Sequence, residues 1–437
     1  MPSRPAFPRV SWTELLRDFF PLQQRPLEVL LRWQRRFGPT FWLPGALPRL
    51  VLSAPEDVRH VLVARQDNYW KVGNFALLRD VLGEGILTSN GPLHDRQRRA
   101  WMPHFQKNVL SEVGPRASRH TDELTRAWKP GDAVELGGLF ARVAVALLGD
   151  VLLGVDLRGE AEKIFRSGLA IQTYVGTGVF TPWPGFFRRF RARSFARARD
   201  AVVGVAEGLL AGWKTPAGPP TAGLARTVLA AGEPGDPEAE RRRRDDIVTL
   251  LLTGHETTAN ALSWTVALIL NTPDVRAAVE GEARSAAFRW EDSLLRRCFQ
   301  EALRLYPPAW CIGRRAMADD VLPGGAFLPA GGHAVVFSAH CHRDPAVFPD
   351  PDRFLPDRFA RGRPVPPPYR YFPFGAGPRA CLGEEFAGAT AEAVLQRLFR
   401  NFDFETAVGL PRPEPLVTLR PRGGAWAKIR RRVSGDF

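Results

Sequence analysis

The sequence predicts a mainly α-helical fold with a small β-sheet subdomain, built as one large domain over residues 1–437. Three observations lead there. Apolar residues recur at helical spacing through long stretches, and pieces with strand-like alternation are short. The chain has 437 residues, 45% hydrophobic and 24% charged, the composition of a globular protein with an ample core. Disorder over the whole chain is excluded.

In chain order, Met1 to Phe20 mixes Pro, Arg and apolar residues without a continuous apolar stretch. No window approaches the ~18 apolar residues of a membrane span. The expectation is a cytoplasmic protein, with peripheral membrane contact left open. Arg49 to Ser53 reads as a strand, and Pro92 to Pro103 as a helix. Leu136 to Leu153, Ala201 to Trp213 and Glu385 to Phe399 have helical spacing, while Ala326 to Pro329 and Ala334 to Ser338 alternate like strands. Gly and Pro cluster in Thr215 to Pro237, read as a surface connection, and in Arg361 to Pro378. The second stretch exceeds an ordinary loop of ~4–6 residues, and structureless segments of that size are usually functional.

One helix stands apart. Asp245 and Asp246 are placed as its N-terminal caps, and Asn271-Thr272-Pro273 as its stop. Between them apolar residues run nearly all round, as in a helix at the centre of a large domain. Thr253-Gly254-His255-Glu256-Thr257-Thr258 interrupts this, and buried polar groups are expensive unless they have a task. His255 has no partner ligand nearby and is given no metal role.

The formal net charge is +14. Arg carries it and is spread along the chain. The run Arg241 to Arg244 is followed at once by Asp245 and Asp246, so nucleic acid is not expected as a partner. An acidic protein or a membrane surface suits the surplus better. Cys298, Cys311, Cys341 and Cys381 include no C-x-x-C pair and no zinc-like spacing. The first three are read as reduced thiols.

Cys381 is different. Phe374-Gly375-Ala376-Gly377-Pro378-Arg379-Ala380-Cys381-Leu382-Gly383 fits F-x-x-G-x-R-x-C-x-G. Its glycines let a tight loop approach a flat cofactor. The helix that follows presents free N–H groups that stabilise a thiolate. A thiolate axial ligand pushes electron density onto haem iron and favours O–O cleavage.

This decapeptide resembles the haem-binding loop of cytochromes P450, and further matches run in order from about Asp67 to Asn401. The resemblance implies haem b (iron protoporphyrin IX) ligated by Cys381 within a loop that includes Phe374, Gly375 and Gly383, with dioxygen as co-substrate. His94 and Arg98 are similar to the family's H-x-x-x-R; with Arg379 and Arg315 they would bind the haem propionates, Arg315 being preferred over Arg314. Glu301-Ala302-Leu303-Arg304 resembles the family's E-x-x-R, and the resemblance implies that Arg358 completes a buried network with Glu301 and Arg304. The polar break resembles the oxygen-activation motif, with Thr253 in place of a small apolar residue. By that pattern Glu256 and Thr257 manage protons and Gly254 leaves room for oxygen.

The family also implies a distal pocket lined by Tyr69, Trp70, Phe75, Ile86, Phe180 and Thr253. Apolar walls suit a small lipophilic substrate: isoprenoid or carotenoid, terpenoid, or fatty acid. No flavin or iron–sulfur segment is evident, so an external ferredoxin- or flavodoxin-type donor is expected. The resulting expectation is a monooxygenase that inserts one oxygen atom into a C–H bond. Competing readings are a peroxide-driven peroxygenase, a peroxide isomerase or dehydratase, and a non-enzymatic haem sensor or carrier; the Glu256–Thr257 pair argues against all of these. The 27 residues between Pro273 and Glu301 are fewer than expected for the family.

Overall fold

The computed structural model describes residues 7–45, 47–71, 74–106, 110–176, 184–215, 223–233 and 235–430. Helices dominate. Those that position the site are α1 (Gly91–Trp101), α2 (Leu136–Leu147), α3 (Ala161–Gly176), α4 (Ala192–Trp213), α5 (Pro237–Leu270), α6 (Leu294–Leu305) and α7 (Glu384–Asn401). The β component is small, as expected. Strands β1 (Thr40–Leu43), β2 (Arg49–Leu52), β3 (Tyr69–Trp70), β4 (Ile312–Ala316) and β5 (His333–Val336) form one sheet in the order β1-β2-β5-β4-β3. Strands β6 (Pro413–Pro415) and β7 (Leu419–Pro421) pair as an antiparallel hairpin.

Helix α5 runs through the main core and is buried on every side over most of its second half. Its start differs from the sequence expectation. The cap is Asp236, whose side chain accepts from the Glu238 N–H at 3.0 Å, and the helix has 34 residues, about 51 Å at ~1.5 Å per residue. Asp245 and Asp246 are therefore not caps but buried mid-helix carboxylates. Asp245 accepts from the Glu84 N–H at 3.0 Å, and Asp246 from the Gln97 amide at 3.1 Å. Capping preference and burial with a partner place the same residue type, and the arginine run before them concealed the first turns.

Leu136–Leu153 is apolar enough by composition to cross a membrane, yet 72% of it is buried inside the protein. It packs against α5 as core. Thr215 to Pro237 contains a short helix, Gly223–Leu229, so it is not only a connection. The short stretch after Pro273 holds a full helix, Pro273–Arg284, and a 3-10 turn before α6 begins.

A buried ionic network fixes the cysteine-bearing side of the molecule. Glu301 and Arg304 on α6 have fully buried side chains and pair bidentately at 2.7 and 2.8 Å. Arg304 also donates to the carbonyls of His342, Pro351 and Arg353. Glu301 accepts from the Leu355 N–H at 3.0 Å and from Arg358 at 3.3 Å. A desolvated pair is tolerable only when its remaining donors and acceptors are satisfied, and here four chain segments supply them. The connection Arg361 to Pro378, irregular as expected, is pinned beside this network. The Tyr371 hydroxyl donates to the Gln300 carbonyl at 3.0 Å, and the Phe372 N–H donates to His342 at 3.0 Å. Glu301→Ala leaves two arginines without their shared anion; chemical unfolding should show a loss of about 3–5 kcal/mol, whereas a loss under 1 kcal/mol contradicts this account.

Candidate active site

The Cys381 loop is shaped by two glycines in the left-handed region, Gly375 at φ 79° and Gly377 at φ 70°. A Cβ on Gly377 would collide with the Leu62 carbonyl, so the loop and its neighbour approach as closely as backbones can. A 3-10 turn, Gly377–Arg379, follows. The Cys381 N–H donates to the Phe374 carbonyl at 2.8 Å, and Gly383 caps α7.

The Cys381 side chain is accessible although protein surrounds it closely. Burial pushes its thiol upward; the Gly383 N–H and the charges of Arg98 and Lys71 pull the other way. A buried thiol with an accessible face lies at the wall of an internal space. A second such wall is on α5, where Leu252, Thr253, Gly254 and Thr257 keep partial accessibility within an otherwise buried helix.

Positive charge collects beside the cysteine. Arg98 on α1 donates to the Ala380 carbonyl at 2.7 Å, immediately before Cys381. Arg379 donates to the Ser89 carbonyl at 2.8 Å and to the Asn90 side chain at 3.2 Å. Asn90 also accepts from the Lys71 N–H at 2.9 Å and donates to the Lys71 carbonyl at 3.1 Å, which brings Lys71 into the group. Burial, then the charges of Arg314, Arg379 and Arg98, hold the Lys71 ammonium well below its usual range. Burial and the neighbouring Arg379 lower Arg314 to about 10. Arg379 itself falls to about 10, chiefly through burial. His94 is buried, accepts or donates at 3.2 Å with Asp95, and is pushed to about 4 by burial and by Arg379, so its ring is neutral near pH 7.

Strand alternation corrects the choice between two adjacent arginines. On β4, Arg314 points to the buried face with Lys71 and Arg379, whereas Arg315 is exposed opposite His333 and Trp70. Arg314 thus replaces Arg315 in the cation cluster. Lys71 was missed altogether, because a lone lysine after Tyr-Trp carries no pattern that marks it.

This cluster supplies a test of whether a haem fits. Among the described residues, none of Arg98, Arg314 and Arg379 forms an ion pair with a carboxylate, yet burial depresses all three. Desolvated cations need an anion. A flat dianionic cofactor whose iron is held by Cys381 provides one, so the residues present fit.

On the α5 side, the Thr257 hydroxyl donates to the Thr253 carbonyl at 3.0 Å and the Thr253 hydroxyl to the Thr249 carbonyl at 2.7 Å. Glu256 points elsewhere, into a buried polar cluster with Thr418, Gln172 and Asn260. Burial lifts its carboxyl to about 7, against the lowering effects of Arg420, Thr418, Gln172 and Asn260. The pair is adjacent in sequence but does not share a hydrogen bond among those described. Gly254 also differs from expectation: a Cβ there would press on Leu148, so this glycine allows close helix packing.

The pocket residues separate. Ile86 is half-buried against the main core, and Thr253 keeps partial accessibility on α5. Tyr69 is a buried sheet residue whose hydroxyl donates to Asp320 at 3.0 Å, and Trp70 is 37% exposed. Neither lines the site, because the aromatic pair that suggested a pocket wall forms a short edge strand instead. Phe180 and the side chain of Phe75 lie outside the described residues.

A family model described as Cytochrome P450 matches residues 5–426. Probable cytochrome P450 4s3 of Drosophila melanogaster is 26% identical, covering 92% of this chain and 88% of that protein. LUTEIN DEFICIENT 5, chloroplastic, of Arabidopsis thaliana is 27% identical over 88% of this chain and 69% of its own length. Cyclooctatin synthase of Streptomyces melanosporofaciens is 28% identical, with 86% of each chain covered. The crystal structure of CYP175A1 from Thermus thermophilus superposes with a TM-score of 0.77 at 31% identity, covering 97% of this chain and all of that one. The cation cluster predicts an asymmetric outcome for two neighbours: Arg314→Ala should lower haem retention after gel filtration several-fold, and Arg315→Ala should leave it unchanged. Equal effects contradict the assignment.

Proposed function

The chain belongs to the cytochrome P450 family of haem-thiolate monooxygenases, which use haem b and dioxygen, and on that premise we propose that it oxidises a C–H bond of a lipophilic, isoprenoid-type substrate with electrons from a separate acidic carrier. When bound, the haem supplies oxygen activation through its thiolate-ligated iron. The chain's own residues do the rest.

Cys381 Sγ would hold the haem iron, with the Gly383 N–H stabilising its negative charge. Lys71, Arg98, Arg314 and Arg379 would bind the propionates, whose two negative charges offset part of this buried positive charge. Arg98 has a second task, because its bond to the Ala380 carbonyl ties the propionate side to the cysteine loop. Glu256 holds a proton near neutral pH, since burial has raised its carboxyl to about 7. That is where a group that both gives and regains a proton works best. Thr257 spends its hydroxyl hydrogen on the Thr253 carbonyl, so its lone pairs are offered as acceptors to whatever donor lies beside it.

The observation that supports the substrate reading is apolar character: Ile86, Leu87, Leu252 and Val417 are half-buried apolar residues packed on the main core. Apolar surroundings of this kind favour apolar substrates. Among the relatives, one bears the name of lutein, a carotenoid, and another that of cyclooctatin synthesis. For the carrier, the support is the surplus of +14, which attracts an acidic protein and speeds encounter at low salt.

One reconstitution tests both parts. With dioxygen and a reduced ferredoxin-type carrier, members of a panel of isoprenoids should shift the haem spectrum and turn over, more slowly as salt rises. Response only to small polar ligands, turnover only with peroxide, or rates indifferent to salt would contradict the proposal.

A further inference from the structure

The hydrogen bonds around Glu256 contain an ambiguity that carries information. Thr418 lies between β6 and β7, across from α5. Its Oγ1 is 2.9 Å from Gln172 Oε1 on α3 and 3.3 Å from Glu256 Oε1. Its third neighbour is Asn260 Nδ2, which donates to the same oxygen at 3.0 Å. A hydroxyl has one hydrogen and two lone pairs. It can donate to Gln172 or to Glu256, never to both at once.

Each choice matches one state of the acid. When Glu256 is ionised it can only accept, and the Thr418 hydrogen turns to it. Gln172 Oε1 is not stranded, because the Thr418 N–H donates to it at 3.1 Å in either case. When Glu256 carries its proton, that proton can be given to Thr418 Oγ1, which then accepts from both Glu256 and Asn260 and donates to Gln172. Thr418 Oγ1 and the two oxygens it faces are matched in both settings, which differ by the rotation of one hydroxyl. Both settings are buried, where an unmatched polar atom costs about 1–3 kcal/mol.

We propose that Thr418 is a positioning residue for proton handling by Glu256, its hydroxyl turning between Gln172 and Glu256 as the acid passes between its protonated and ionised forms. The proposal rests on the reading of Glu256 as proton carrier. The proton is lost from and returned to the Glu256 carboxyl; Thr418 keeps its own hydrogen and changes only its direction. The charged group acting on the carboxyl is Arg420 of β7, whose Nε lies 2.9 Å from Glu414 Oε2. His255, next in the chain, is held neutral by burial, at about 4. Arg420 and Glu414 are both partly exposed, so the cluster reaches solvent on the hairpin side. The same hydroxyl also links α3 to the hairpin beside Glu256.

The test uses the haem-loaded enzyme with its reductant. In Thr418→Val the ionised carboxyl loses a charge-assisted donor worth ~1.5–3 kcal/mol, and the protonated one only a neutral acceptor worth ~1 kcal/mol. The pH limb governed by Glu256 should therefore move about one unit toward alkaline pH, and product formed per electron pair should fall. Thr418→Ser should restore both; Thr418→Ala serves in place of valine if that variant loses haem. An unchanged limb and coupling in Thr418→Val, while Glu256→Gln impairs turnover, overturns the role of Thr418 and leaves the proton-carrier reading intact. No effect of Glu256→Gln itself overturns both.

Discussion

Positive charge gathered away from water must find a negative partner, and this demand organises the centre of the protein. Lys71, Arg98, Arg314 and Arg379 come from four separate places in the chain and press on one another across the Cys381 loop. Arg397 pairs with Asp122; among the described residues, the three buried arginines of this cluster have no such carboxylate partner. The electrostatic penalty of assembling them is relieved when a dianion lies among them, so the site favours its cofactor before any bond to iron forms. The Cys381 thiol lies in the same field: Arg98 and Lys71 favour its thiolate, against the larger upward effect of burial.

A second constraint is mechanical. Loop backbone that must lie flat against a cofactor cannot be held by regular structure, so it is held from behind. Glu301 and Arg304 gather Arg358 and the carbonyls of the preceding segment, while Tyr371 and His342 pin the approach to the cysteine. On the other side, Trp264 of α5 stacks on Tyr306 with ring centroids 3.9 Å apart and donates to the Leu419 carbonyl. Central helix, α6 and hairpin are thereby joined near the polar cluster of Glu256.

Much of this was legible in the sequence. The helical class, the Cys381 loop, the E-x-x-R pair and the polar break in α5 depend on local spacing, which a sequence displays; that Arg358 joins the pair was implied by the family resemblance. What escaped it depends on facing. Arg314 and Arg315 are chemically equivalent in a string, and only the pleat of β4 says which turns inward. Tyr69 and Trp70 look like pocket aromatics until a two-residue strand divides them between core and surface. Asp245 and Asp246 have the residue type of caps, but tertiary partners from the Glu84 to Gln97 stretch made them interior. Lys71, Gln172 and Thr418 belong to elements far apart in the chain, and no periodicity links them.

The account stands or falls on sulfur bound to iron. The most direct measurement is the carbon monoxide difference spectrum of the reduced, haem-loaded protein. The account predicts the strongly red-shifted Soret band of a thiolate-ligated haem, lost in Cys381→Ala. A folded, haem-containing wild type that lacks this band, or a Cys381→Ala variant that keeps it, would contradict the central claim.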